Sequence, residues 1–159
     1  MTRSAGLLLY RQAEDGKLEV LLGHMGGPFW SRKDDAAWSI PKGQCEQGET
    51  AIVAARREFE EEIGQPPPDG EEIALGDVRQ SGGCKIVEAW AIEGDLDVTE
   101  IESTPFEMEW PPRSGKLREF PEFDRAEWFE VDAARGRIVK AQAAFLDRLV
   151  ELVGSPASD

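Results

Sequence analysis

The chain has 159 residues and a net charge of −14 at neutral pH, and 40% of its residues are hydrophobic. This length lies in the usual range for one domain, and the hydrophobic content predicts a globular protein with a buried core. The acidic balance argues against general binding to nucleic acid, because proteins hold a duplex by neutralising its phosphates with Lys and Arg. We therefore expect a single domain over residues 1–153 and a flexible tail at 154–159.

The apolar runs and the cysteines indicate the cellular compartment of the protein. The run of leucines at residues 7–9 is far too short to be a signal or membrane segment. Cys45 and Cys84 have no recognisable metal-ligand spacing, and free thiols fit a reducing compartment. We expect a cytoplasmic protein that has no membrane partner.

The first third of the chain predicts strands followed by a helix. Strands are predicted at 5–11 and 18–23, and a third, short strand at 37–40. Thr50 is a residue type that favours an N-cap, and it precedes a run of good helix formers at 51–62. An apolar stripe along this helix should pack on the core. The stripe consists of Ile52, Ala55, Phe59 and Ile63.

The rest of the chain predicts more strands and a second helix. Segment 94–125 is rich in Pro and acidic residues, and we expect a long irregular loop of the kind that often carries function. The regular elements predicted here are strands at 73–80, 85–92 and 127–131 and an amphipathic helix at 138–153. A mixed sheet between the two helices is the natural assembly.

Three carboxylates lie on one face of the first helix. Glu61 and Glu62 lie three and four residues after Glu58, so the three side chains point in similar directions within about one turn. Such a cluster repels itself unless a cation binds to it. Hard oxygen ligands at this density suit Mg²⁺ or Mn²⁺, whereas a solvated acidic helix face is the alternative for the carboxylates alone.

The residues around this helix resemble a known family motif. The spacing is Gly, five residues, Glu, seven residues and then Arg-Glu-hydrophobe-x-Glu-Glu-x-Gly, which resembles the Nudix box. Gln65 departs from the pattern, because the family usually has an aliphatic residue there. The matching positions are Gly43, Glu49, Arg57, Glu58, Phe59, Glu61, Glu62 and Gly64.

The resemblance implies an α/β fold, a Nudix-type α/β/α sandwich with a mixed β-sheet, and a pyrophosphohydrolase that uses Mg²⁺ or Mn²⁺. Arg57 carries a fork of donors that can hold Glu49 or Glu61 in one rotamer. By resemblance, Arg57 and Glu49 support the metal site. The implied metal ligands are Gly43, Glu58, Glu61 and Glu62.

Hydrolysis also needs a group that accepts a proton from water. Glu61 is a candidate within the box. Family members often recruit a further Glu from the loop before the last strand, where Glu122 is found and Glu119 is the second choice. A solvated loop acid is the alternative for both.

Basic residues should hold the phosphates, because a polyanion that approaches this acidic surface needs local positive charge. Lys42 directly precedes the box glycine, and Arg113 and Lys116 lie in the predicted long loop. Arg118 and the Arg32–Lys33 pair are further basic groups, and scattered surface charge is the alternative for all of them. His24 is the sole histidine, and two interpretations are open: an ordinary strand-end residue, or a contact to a phosphate or a base.

The substrate class rests on local resemblance. The segment 38–43, Trp-Ser-Ile-Pro-Lys-Gly, resembles the diadenosine and diphosphoinositol polyphosphate branches of the family, and 23–30 and 110–116 resemble a group of predicted NTP pyrophosphohydrolases. Trp30 and Trp38 are read either as base-stacking or as core residues. We expect a nucleoside or dinucleoside polyphosphate as substrate. ADP-ribose, a nucleotide sugar or an inositol pyrophosphate, a non-catalytic nucleotide-sensing module, and a homodimer stay open.

Overall fold

The computed structural model describes residues 2–99 and 101–153, so the tail predicted at 154–159 lies outside the described residues. Of the helices in this part of the chain, none is both long and apolar enough to span a bilayer. The strands are β1 Thr2–Gln12, β2 Leu18–Met25, β3 Trp38–Ser39, β4 Lys42–Gln44, β5 Ile73–Gln80, β6 Lys85–Glu93, β7 Pro105–Glu109, β8 Leu117–Pro121 and β9 Phe123–Glu130. The helices are α1 Ala51–Ile63, α2 Val131–Arg137 and α3 Ala143–Val153.

Seven strands form one mixed sheet in the order β3-β2-β1-β6-β5, with β4 paired to β1 and β9 paired to β2. β1 and β6 run parallel, and Thr2 lies opposite Lys85 at the start of this pair. The other pairs of this sheet are antiparallel. β7 and β8 form a separate two-stranded sheet. The predicted mixed sheet is confirmed.

Helices cover both faces of the sheet. Successive residues of a strand point to opposite faces, and β1 is buried on both: Leu8 belongs to one core cluster and Leu9 to the other. The first cluster includes Phe145 of α3, and the second includes Phe59 of α1. The predicted α/β/α sandwich is therefore confirmed, and it holds α1 rigidly against the sheet.

The first helix matches its prediction closely, because it begins at Ala51 as expected and ends at Ile63, one residue later than expected. Thr50 has the extended backbone of an N-cap, but its side chain makes no capping hydrogen bond. Gly64 ends the helix with φ of 87°, a left-handed conformation that glycine adopts without steric cost. Phe59 and Ile63 are fully buried, as the apolar stripe predicts.

Two predictions for the second half of the chain are wrong. The segment 94–125, expected to be irregular, contains the β7–β8 hairpin and the start of β9. The helix expected at 138–153 begins five residues late, because α3 spans Ala143–Val153, and the preceding helix α2 at Val131–Arg137 was not predicted. The backbone of Ile138 is extended, and the amide of Val139 donates to the carbonyl of Trp38 at 2.8 Å. This contact with the sheet replaces helical hydrogen bonding between the two helices.

Candidate active site

A cleft of about 490 Å³ lies where α1, β4 and the start of β6 meet. It brings together residues from five separate parts of the chain, with three carboxylates and two lysines among them. The lining residues are Thr2, Ser4, Lys42, Gly43, Gln44, Glu58, Glu62, Lys85 and Glu122.

Gly43 lets a carboxylate approach the backbone of β4. The register of β4 against β1 places Gly43 opposite Ala5. A Cβ atom at Gly43 would lie 2.0 Å from the carboxyl carbon of Glu58, which is far inside van der Waals contact. Only glycine therefore leaves room for the Glu58 carboxylate beside the β4 backbone.

Glu62 is a buried carboxylate, since only 6% of the residue is exposed. Its Oε1 accepts a hydrogen bond from the Lys42 amide at 3.0 Å, which fixes the side chain at the floor of the cleft. Burial raises the pKa of Glu62 well above the usual value, and the charges of Glu122 and Glu58 raise it further, against the opposing effect of the Lys42 amide. Burial likewise raises the pKa of Glu58. A bound cation would relieve this cost of holding several negative charges together.

Arg57 organises the rear of the cluster. Its Nε and Nη2 donate to the two carboxylate oxygens of Glu49 at 2.8 and 3.0 Å, a bidentate pair. Its Nη1 donates to Glu58 at 2.8 Å and to Glu61 at 3.0 Å. The hydrogen bonds from Arg57 lower the pKa of Glu49 to about 2. This is the arrangement that the sequence predicts for Arg57 and Glu49.

Lys85 is a cleft residue that the sequence analysis missed. It is 43 residues from Lys42 in the chain, and the parallel pairing of β6 with β1 brings it to the cleft. Partial burial of its carboxyl group raises the pKa of Glu122, and the positive charges of Lys42 and Lys85 offset part of that rise. Burial and the nearby charge of Lys85 lower the pKa of Lys42. No local motif marks Lys85; only strand pairing could have identified it.

The donor set of the cleft fits a hard divalent cation, since it consists of carboxylate oxygens beside a strand backbone. Glu58, Glu62 and Glu122 line the cleft, whereas Glu61 does not and is bound by Arg57. Within residues 2–99 and 101–153, no three His, Cys, Asp or Glu side chains yet converge as closely as a complete metal site requires.

Several other predicted site residues lie elsewhere. Arg113 and Lys116 are in the turn of the β7–β8 hairpin and do not line the cleft, and Glu119 lies on β8. His24 is fully buried, with Nδ1 bonded to Asp124 and Nε2 to the Lys33 carbonyl, so it is structural.

The two tryptophans considered for base stacking both pack against the core. Trp38 is 1% exposed and packs edge-on against His24 and Phe129, so its interpretation as a core residue is confirmed. Trp30 packs against the same core cluster, and Lys33 lies over its ring.

Two proteins of known name are similar to this chain in sequence. An 8-oxo-(d)GTP phosphatase of Mycolicibacterium smegmatis is 30% identical over 144 residues, which cover 86% of this chain and 37% of that protein. An RNA pyrophosphohydrolase of Francisella tularensis is 43% identical over 56 residues, 35% of this chain and 36% of that protein. The matched segments thus span little more than a third of the length of either relative.

A solved structure and a family model extend the similarity to nearly the whole chain. The crystal structure of a C. elegans Ap4A hydrolase binary complex superimposes with a TM-score of 0.68 at 22% identity, covering 96% of this chain and 98% of that one, which shows a shared fold. The NUDIX domain model matches residues 1–149. The chain therefore belongs to the Nudix family.

Proposed function

We propose that this protein hydrolyses a pyrophosphate bond in a nucleoside or dinucleoside polyphosphate, with Mg²⁺ or Mn²⁺ as cofactor. The observation that carries the proposal is the cleft itself, in which Glu58, Glu62 and Glu122 face Lys42 and Lys85. The hydrolase names of the two sequence relatives support the same reaction class.

The ligands proposed for the cation are the carboxylates of Glu58, Glu61 and Glu62 and the backbone of Gly43. A bound divalent cation would offset phosphate charge and lower the pKa of a coordinated water. The Arg57 Nη1 atom donates hydrogen bonds to the carboxylates of Glu58 and Glu61, at 2.8 and 3.0 Å, and so keeps both on the same side of α1. Arg57 and Glu49 are therefore assigned a positioning role toward these carboxylates.

Glu122 is proposed as the group that accepts the proton of the attacking water. It lies at the edge of the cleft, where its residue reaches solvent and partial burial of the carboxyl group raises its pKa. A general base works best when its pKa approaches the working pH, so this shift improves Glu122 as a base. Glu61 is the second candidate.

Lys42 and Lys85 are proposed to bind phosphate oxygens. Both line the cleft, and burial with mutual repulsion lowers the pKa of Lys42. An anionic phosphate placed between two cations removes that repulsion and forms charge-assisted hydrogen bonds. The lysines therefore balance the acidic side of the cleft for a polyanionic substrate.

A panel of phosphoanhydrides with chromatographic identification of products tests the proposal. The panel contains a nucleoside triphosphate, diadenosine tetraphosphate, ADP-ribose, an inositol pyrophosphate and an RNA with a 5′-triphosphate. We expect Mg²⁺-dependent cleavage with the highest kcat/KM on one of the first two compounds. Preference for ADP-ribose or the inositol compound would overturn the substrate class, and tight nucleotide binding without any turnover would indicate a sensing module.

A further inference from the structure

The β7–β8 hairpin has two chemically different faces. Directly opposite residues of an antiparallel pair share a face, and the pairs alternate in character along the hairpin. One face, here called the aromatic face, consists of Phe106, Met108, Trp110, Lys116, Arg118 and Phe120. The other face consists of Pro105, Glu107, Glu109, Leu117, Glu119 and Pro121.

Core packing does not account for the aromatic face. Phe106, Trp110 and Phe120 belong to neither core cluster of the described residues. Phe29 extends this surface, because its ring lies 5.8 Å from Trp110 in an edge-to-face arrangement, and Phe29 is 59% exposed. A contiguous group of aromatic residues outside the core is a feature of binding surfaces rather than of packing.

The aromatic face is joined to the cleft by the loop that follows β2. The Gly26 amide donates to the carbonyl of Glu122 at 2.9 Å, and a Cβ at Gly27 would lie 3.2 Å from the Phe106 ring. Phe120 is two residues before Glu122, about 7 Å along an extended chain. A molecule whose phosphates lie in the cleft therefore has the aromatic face within reach.

The composition of this surface matches one kind of ligand. Aromatic side chains stack on the flat faces of nucleobases, and Lys and Arg between them attract phosphate. The opposite face carries three glutamates, which repel a polyanion. The contrast directs an anionic, base-bearing ligand to the aromatic face.

We propose that the aromatic face, together with Phe29, binds the nucleoside part of the substrate and that Trp110 and Phe29 stack on its base. This rests on the proposed function, because the cleft must hold the phosphates of the same molecule. The site selects nucleotides over phosphoanhydrides that lack a base. Arg118 and Lys116 lie on the same face and extend its positive charge away from the cleft.

Equilibrium binding tests the proposal independently of turnover. Calorimetry in Mg²⁺ would compare an imido-linked, non-hydrolysable nucleoside triphosphate with inorganic tripolyphosphate. Trp110→Ala and Phe29→Ala should each weaken binding of the nucleotide roughly 10- to 100-fold, the range for loss of one base–aromatic stack. Affinity for tripolyphosphate should be unchanged, and Trp110→Phe should restore most of the nucleotide affinity.

Leu117→Ala is the matched control, because Leu117 is a 69% exposed apolar residue on the other face of the same hairpin. Unchanged nucleotide affinity in Trp110→Ala, an equal loss for tripolyphosphate, or the same loss in Leu117→Ala would overturn the proposal. So would a wild-type protein that binds no nucleotide. Sedimentation showing that Trp110→Ala separates a dimer while nucleotide affinity is unaltered would assign the face to a second copy and overturn the proposal.

Measuring hydrolysis separately distinguishes the two proposals. Wild type that binds through the aromatic face without cleaving would contradict the proposed function and support the nucleoside site. Cleavage with unaltered binding in Trp110→Ala and Phe29→Ala would contradict the nucleoside site and support the proposed function.

Discussion

Two regions of the molecule are built by different means: one is the corner between α1 and β4, and the other is the β7–β8 hairpin. At the corner, Arg57 binds Glu49, Glu58 and Glu61, and Gly43 admits the Glu58 carboxylate beside the backbone. Within the part of the chain that the structure describes, the hairpin strands pair only with each other, and their aromatic residues lie outside both cores. Catalytic groups need fixed positions, whereas a surface that recognises a base tolerates adjustment. The two regions therefore suit chemistry and selectivity, respectively.

Glu62→Gln should have the largest effect. The variant keeps the Oε1 acceptor for the Lys42 amide, so the fold should persist, but it loses a proposed cation ligand. We expect kcat/KM to fall on the order of 1000-fold, equivalent to several kcal/mol of charge stabilisation. Steady-state kinetics at saturating Mg²⁺ measures this. Glu60→Gln, an exposed change on the same helix, is the control, and full activity of Glu62→Gln would remove Glu62 from the site.

Arg57→Ala should have the next largest effect, because it frees three carboxylates at once. Loss of a residue that orients ligands lowers activity by about 10- to 100-fold. Arg57→Lys should recover little, since lysine lacks the planar fork that binds both Glu49 oxygens. Arg56→Ala removes the neighbouring arginine, which bonds Glu72 at 3.0 Å, and should leave kcat/KM unaltered. Equal losses for the two arginines would indicate a general effect on α1.

Limited trypsin digestion compares the local stability of the two regions. Arg113, Lys116 and Arg118 of the hairpin are exposed residues, while Arg57 is inside a helix packed on the core. Segments with few buried contacts open at low free-energy cost. Mass spectrometry should find the first cleavages in the hairpin. First cleavage at Arg56 or Arg57 would show that the corner is the less stable region.

The smallest effect concerns acid stability at the corner. The pKa of Glu49 is about 2 in the folded protein, against an ordinary value of 4.5. A lowered folded-state pKa contributes stability that is fully present above the ordinary value and is lost as pH falls toward the folded-state value. Urea unfolding of wild type and Glu49→Gln should therefore show a wild-type advantage that declines between about pH 4.5 and about 2. An advantage that grows on acidification would contradict the Arg57–Glu49 assignment.

The elements that periodicity controls were predictable from the sequence, and those that tertiary contacts control were not. The apolar stripe of α1 predicts its bounds within one residue, because Phe59 and Ile63 repeat at helical spacing. The helix expected at 138–153 starts only at Ala143, because the Val139 amide donates to the Trp38 carbonyl instead of to a helical partner, a contact that no local pattern encodes. The β7 strand had a signal in the alternation of Phe106, Met108 and Trp110, which the surrounding Pro and Glu residues obscured.

The candidate site divides in the same way. Local spacing identified Gly43, Glu58 and Glu62, since all three follow from one motif and its helix. Lys85 required the parallel β1–β6 pair, and the place of Arg113 and Lys116 in a hairpin turn required the β7–β8 pairing. Strand pairing was therefore the information that the sequence pattern lacked.

Anomalous diffraction from crystals grown with Mn²⁺ tests the central claim most directly, because it locates the cation without depending on turnover. We predict a Mn²⁺ peak in the cleft between α1 and β4, within coordination distance of carboxylate oxygens of Glu58 and Glu62. The peak should vanish in Glu62→Gln and persist in Glu60→Gln. Mn²⁺ bound elsewhere, with no peak in the cleft of a preparation that hydrolyses its substrate, would contradict the assignment of this cleft as the catalytic metal site.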